Sequence, residues 1–365
     1  MDQNIPLNTP VRMEAPAIHH SSDNELCNAF AELGFVTVSS HLIPVLRQAG
    51  KAARVSDITV MLEGETGTGK QVLAHAIHML DQKRRMFRFV TVHCSTINEA
   101  LAESEFFGHE RGAFSGAAIE RKGLFQTAHR GTLFLDDVND LPPALQPKLL
   151  DVLQRGVVRA VGSDQEVSVD VRIISACNRP LKPLIQQNRF RADLYHRLNV
   201  VSLVLPPLRE RPEDLAALML AFAQRHSRIF PGITSVDKSL IELLEQQYFD
   251  GNVRELEHAV ERMLFGKTEG TSLGLADWIA HCTCGAAQPR DWIGEAADRL
   301  SNAIFERGLA YREAIHQIES RVLEIALRRG GETRRELAAR LKTSERTLYH
   351  KMRVNRVRQV NANSA

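Results

Sequence analysis

The string Gly64-Glu65-Thr66-Gly67-Thr68-Gly69-Lys70 follows the apolar run 59–62 and precedes a helical pattern. In that setting glycines let backbone N–H groups wrap phosphate oxygens, a helix start favours negative charge, and Lys70 reaches the terminal phosphates. Gln71 stands where a Ser or Thr hydroxyl usually touches magnesium. Further along, Thr132-Leu133-Phe134-Leu135-Asp136-Asp137 is an apolar run ending in two acids. Asp136 would hold magnesium there and Asp137 would orient water for attack on a γ-phosphate. The chemistry implied is hydrolysis of ATP, with ATP and Mg2+ as cofactors.

Such groups need rigid mounts. Short β-branched runs at 58–62, 89–92, 132–135 and 171–175 alternate with amphipathic stretches, which predicts an α/β core over 30–207 with a parallel sheet and helices on both faces. Beyond Pro206-Pro207 the strand signals stop, and helical patterns at 212–226, 237–247 and 252–265 predict a helical lid over 208–266. The polar segment 1–29 reads as a flexible leader and 267–300, broken by Gly and Pro, as a linker. Residues 301–365 read as a small all-α domain whose last two helices, 333–341 and 344–353, are separated by a short turn.

The net charge of +2 conceals an asymmetry, because 321–358 hold 12 Lys/Arg against four Asp/Glu, a surplus of eight. That points to nucleic acid at the C-terminal end. Five irregularly spaced cysteines do not form a secreted disulfide framework, and the sequence shows neither a membrane span nor a signal peptide. A cytoplasmic protein without membrane partners is expected.

The string Glu105-Phe106-Phe107-Gly108-His109-Glu110-Arg111-Gly112-Ala113-Phe114-Ser115-Gly116-Ala117 closely resembles the signature loop of the sigma-54-dependent activators, the bacterial enhancer-binding proteins. The similarity runs from about residue 33 to 265, through Phe190-Arg191-Ala192-Asp193-Leu194-Tyr195-His196-Arg197, Leu205-Pro206-Pro207-Leu208-Arg209-Glu210-Arg211 and Gly251-Asn252-Val253-Arg254-Glu255-Leu256. This resemblance implies an AAA+ ATPase in which ATP sits between neighbouring subunits of a homo-hexameric ring, or of a hetero-oligomer. Arg191 and Arg197 would then be arginine fingers, Asn178 and Arg254 nucleotide sensors, and Gly112, Ala113, Phe114, Ser115, Gly116 and Ala117 the contact to sigma-54. The implied activity is ATP-driven remodelling of the sigma-54 RNA polymerase holoenzyme from closed to open complex.

The chain departs from that pattern where activity is at stake. Ser115 replaces Thr, which loses a methyl contact, and Asp137 replaces Glu, which shortens the acid by a methylene and favours slow hydrolysis. His93 replaces Asn; it either hydrogen-bonds Asp137 or is a strand-end histidine bonded to backbone. Cys177 precedes Asn178 in place of Thr. These changes motivate an alternative, a DNA-binding regulator with a degraded ATPase that acts as partner or antagonist of an intact relative. A remodeller of another client is a further alternative.

The tail 337–352 resembles the Fis-type helix-turn-helix of these activators, although Lys342 stands where a turn Gly is usual and Glu332 where an Asn is. Arg346, Thr347, Tyr349, His350 and Lys351 are its candidate contacts to double-stranded promoter-upstream DNA. The short leader resembles the activators that lack a receiver domain and implies control by a separate inhibitor or partner. His281-Cys282-Thr283-Cys284 is either a metal or redox group or an exposed part of the linker.

Overall fold

The computed structural model describes residues 23–284. The first 22 residues, residues 285–300 of the expected linker and the whole expected helix-turn-helix, with Arg346, Thr347, Tyr349, His350 and Lys351, lie outside the described residues.

The chain enters through α1 (Asp23–Glu32) and α2 (Ile43–Arg54), then β1 (Val60–Glu63), α3 (Lys70–Leu80) and β2 (Phe89–His93). It continues through α4 (Glu99–Phe107), β3 (Gly108–His109), β4 (Arg121–Lys122), α5 (Leu124–Thr127), β5 (Thr132–Asp136) and α6 (Gln146–Arg155). A hairpin of β6 (Val157–Arg159) and β7 (Glu166–Ser168) precedes β8 (Arg172–Cys177), α7 (Lys182–Gln186), α8 (Ala192–Leu198) and β9 (Val201–Val204). The lid follows as α9 (Asp214–Arg225), β10 (Ser235–Val236), α10 (Lys238–Leu244), α11 (Asn252–Gly266), β11 (Ser272–Leu273) and α12 (Leu275–Cys284).

The sheet order is β2-β5-β8-β1-β9, with every neighbouring pair parallel. Because side chains alternate along a strand, each strand feeds two cores. Met61, Leu133, Leu135 and Ile173 enter one cluster with Phe106 of α4 and Leu149 of α6. Val60, Leu62, Phe134 and Ile174 enter the other with Phe30, Leu46 and Ile77 of α1, α2 and α3. Burial on both faces explains why β5 and β8 read as near-continuous apolar runs.

The expected parallel core is present, with three differences of detail. β9 was not foreseen: it lies at the sheet edge, only Leu203 is buried in it, and Val204 is exposed, so its apolar signal is weak. α1 occupies the end of the segment read as a leader, drawn in by Leu26, Ala29 and Phe30. The lid runs past Gly266 to Cys284, because buried Leu273 joins its core, β11 pairs with β10, and Lys267 donates to Asp277 Oδ2 at 2.9 Å. His281, Cys282 and Cys284 therefore fall on the last turn of α12 and not on a linker, while their side chains lie outside the described residues.

His78 of α3 lies under the sheet beside Phe89, its Nδ1 2.9 Å from Thr132 Oγ1. Burial, with His75 as a second cause, pushes its pKa down to about 4. Above the ordinary histidine pKa of about 6.5 both folded and unfolded chains hold it neutral. Below that value only the unfolded chain takes the proton, so stability should fall by about 1.4 kcal/mol per pH unit until the folded pKa is reached. Urea denaturation of the wild type and His78→Gln between pH 7 and 4 reads this directly. The wild-type curve should lose stability faster, and parallel curves would contradict the assignment.

Candidate nucleotide cleft

The loop 64–70 leaves the C-terminal end of β1 and becomes the first turn of α3. At Gly67 the backbone has φ 80°, and a Cβ would stand 2.1 Å from Gly251 O on the lid, so both conformation and space demand glycine. Lys70 is buried, and its Nζ donates to Gly64 O at 2.7 Å and Glu65 O at 2.9 Å. Burial draws its pKa down, while Asp136 and Asp137 act in the opposite direction.

Those acids arrive from β5, which β8 separates from β1 in the sheet. Asp136 ends β5, and Asp137 turns out of the strand with φ 52° and ψ 51°, a left-handed conformation that costs energy for a residue with a Cβ. Burial raises the Asp137 pKa, and the charge of Asp136 raises it further. A divalent cation would relieve the repulsion between the two carboxylates. No group of three or more His, Cys, Asp or Glu gathers around a metal position among the described residues. A magnesium ion, which is content with one or two carboxylates plus phosphate oxygens and water, suits such a set, with Gln71 offering a neutral oxygen.

One cleft is lined by Thr66, Gly67, Gly69, Lys70, Gln71 and Val72 on one wall, Asp136 and Asp137 at its floor, and Val253, Arg254 and Glu257 of α11 on the lid wall. Glu65 sits at the rim, where Arg209 grips it through both carboxylate oxygens at 2.6 and 2.7 Å and holds its pKa below the usual carboxylate range. Thr68 is buried, its hydroxyl donating to Glu65 O.

His93 bonds Asp136 and not Asp137, its Nδ1 3.1 Å from Asp136 Oδ2, and its side chain is half exposed. The cause is register: in the parallel pair β2·β5 His93 stands directly beside Asp136. Cys177 ends β8 as a buried thiol pushed up to about 12, chiefly by burial. The Asn178 backbone N–H donates to Asn139 Oδ1 at 3.4 Å, while Asn178 Oδ1 and Asn139 Nδ2 are buried without partners.

Arg191 and Arg197 do not join this cleft. Arg191 pairs with Asp193 at 2.7 Å on the surface, and the Arg197 guanidinium donates to Leu153 O at 2.8 and 3.2 Å. Arg197 O accepts from Thr59 Oγ1 just before β1 begins, so it lies at the opposite end of the sheet from the phosphate loop.

The segment Gly112, Ala113, Phe114, Ser115, Gly116 and Ala117 connects the antiparallel strands β3 and β4, closed by Gly112 N–H donating to Ala117 O at 2.8 Å. His109 anchors it. Its ring is buried between Ser104 Oγ at 2.7 Å and Ile119 O at 3.0 Å and meets the Phe114 ring edge to face at 5.0 Å. Phe114 and Ile119 remain exposed.

Sequence reasoning missed the clamp between lid and phosphate loop. Arg211, fully buried, donates to Thr68 O at 2.8 Å and faces Asp214, which accepts from Thr37 Oγ1 and the N–H groups of Val38 and Ser39. Asn252, also fully buried, has φ 51°. An asparagine after glycine at a helix start signals such a left-handed position, although the signal does not reveal its partners.

Fold and cleft together define an AAA+ phosphate-loop module, a parallel α/β core with a helical lid. The sigma-54 interaction domain family matches residues 35–204 and the AAA+ ATPase lid domain family matches 209–287. The chain is 44% identical over 254 residues to the formate hydrogenlyase transcriptional activator FhlA of Escherichia coli, covering 69% of this chain and 36% of that one. It is 36% identical over 318 residues to the E. coli regulatory protein AtoC, covering 87% and 66%. The chain thus spans about a third of FhlA. Among solved structures, NtrX from Brucella abortus in complex with ATP aligns with a TM-score of 0.60 at 28% identity, covering 91% of this chain and 73% of that one. Over its matched residues the chain is thus homologous to the sigma-54 interaction domain and to regulatory proteins such as FhlA and AtoC. No helix among its described residues is long and apolar enough to cross a membrane.

Proposed function

We propose that this protein is a transcription activator that hydrolyses ATP between subunits of a hexamer and thereby drives sigma-54 RNA polymerase holoenzyme from closed to open complex. The observation that carries the reading is the convergence of Lys70, Asp136, Asp137 and Arg254 on one cleft within a sigma-54 interaction domain. Bound ATP with magnesium supplies a phosphoanhydride whose hydrolysis drives the conformational work.

The residues divide that work. Backbone N–H groups of the loop 64–70 and the Lys70 amine hold phosphate oxygens, Asp136 and the Gln71 amide carbonyl hold the cation, and Asp137 accepts a proton from the attacking water. A carboxyl raised by burial is the better base for that task. Asn178 and Arg254 sense the nucleotide from the sheet and the lid, and Arg191 and Arg197 act on a neighbour's cleft. The exposed Phe114, on its anchored turn, contacts sigma-54. The basic tail binds promoter-upstream DNA, and control comes from a separate inhibitor or partner in the cytoplasm.

ATP turnover by the purified chain, measured across a protein concentration series, tests the reading. Turnover per subunit should rise cooperatively with concentration and vanish in Lys70→Ala. Absence of turnover despite ATP binding would favour the partner or antagonist role, for which the short Asp137 supplies the reason. Deleting residues 112–117 should abolish capture of sigma-54 while leaving hydrolysis in place; retained capture would instead indicate a remodeller of another client.

A further inference from the structure

We infer that Asn252 is a positioning residue that fixes Arg254 against the nucleotide by latching the lid onto the phosphate loop. Its amide nitrogen donates to Thr66 O at 3.0 Å and Glu65 Oε2 at 3.2 Å, and its amide oxygen accepts from Leu208 N–H at 2.8 Å. One fully buried side chain thus ties the phosphate loop to both ends of the lid connection.

The main chain completes the latch. A helix start leaves its first N–H groups without intrahelical partners, and α11 has no side-chain cap for them. The carbonyl of Gly67 serves instead, accepting from Val253 N–H at 3.0 Å and Arg254 N–H at 3.3 Å. Arg254 follows Asn252 by two residues on the first turn of α11, where it lines the cleft. A displacement of the phosphate loop therefore reaches the base of Arg254 through Asn252 and Gly67, with no flexible segment between. Only a few residue types suit the Asn252 position, because φ 51° excludes most side chains and the three polar partners demand both a donor and an acceptor.

The inference rests on reading the cleft as an ATP site, and its test separates the two. The affinity of the full chain for a fluorescent ATP analogue would be titrated for the wild type, Asn252→Gly, Arg254→Ala and the double variant. Glycine keeps the left-handed backbone and removes only the amide. Asn252→Gly should weaken binding by about tenfold, and the double variant should bind no more weakly than Arg254→Ala, because both changes remove one coupled interaction. Losses that simply add, or wild-type affinity in Asn252→Gly, would overturn the latch while leaving the ATP site standing. A wild type that binds no analogue would overturn the site and the latch together. Should the glycine variant not fold, Asn252→Asp, which keeps the acceptor for Leu208 N–H and tolerates the backbone, enters the same cycle with the same expectations.

Discussion

Replacing Arg197 by alanine is expected to lower ATP turnover by about 10³-fold or more while ATP affinity stays unchanged, the pattern of an arginine supplied in trans. The geometry excludes service to the cleft of its own chain. Arg197 stands beside Thr59, and the phosphate loop begins at Gly64, so an extended run of roughly 3.3 Å per residue separates the two ends of β1. Its guanidinium bonds a single carbonyl, Leu153 O, which leaves other donor positions for a neighbouring subunit's phosphates. Mixing Arg197→Ala with Lys70→Ala should restore part of the activity, because the second variant lends an intact arginine to the first variant's intact loop. Turnover at the wild-type rate in Arg197→Ala, or a mixture as inert as its components, would remove Arg197 from the reaction. Arg191 carries the same expectation, and since among the described residues its side chain is engaged only with Asp193 on the surface, its loss should leave the fold undisturbed.

What could be read from the sequence was what is local. The phosphate loop, the acids ending β5 and the strands β1, β2, β5 and β8 are contiguous strings whose chemistry or apolar character marks them directly. The edge strand β9 escaped notice because half of its surface faces solvent. Partnerships escaped too. Asn252 and Glu65 are 187 positions apart, and no periodicity links them. For His93 the sequence offers a bond to Asp137 or to backbone, whereas the ladder register places it beside Asp136. Register is a property of two strands together, so neither strand's sequence contains it. The boundary of the lid was misplaced for a similar reason. The Gly-containing turn after Gly266 looks like a linker until the pairing of β10 with β11 and the Lys267–Asp277 contact bring the chain back.

Far from the cleft, Asp81→Ala is expected to destabilise the core by about 3–5 kcal/mol, a large share of the roughly 5–15 kcal/mol that holds a typical domain folded. Asp81 follows α3 and pairs with Arg172, the first residue of β8, at 2.7 Å, with neither side chain exposed. Arg172 also donates to Ala52 O of α2, and its Nε has no partner. Removing the carboxylate would therefore leave a buried cation with one carbonyl for company, at the junction of two helices and a central strand. The nearby pair of Arg84 with Asp57 provides the contrast. Asp57 is largely exposed, and Arg84 would keep Asp170 at 2.6 Å, so Asp57→Ala should cost at most about 1 kcal/mol. Urea midpoints of the two variants separate the cases, and equal losses would show that burial does not govern these pairs. Replacing both partners, as Asp81→Leu with Arg172→Met, should recover the part of the loss that belongs to the abandoned charge, while the bonds that Asp81 Oδ1 accepts from Ser56 Oγ and from the Lys83 and Arg84 N–H groups stay lost.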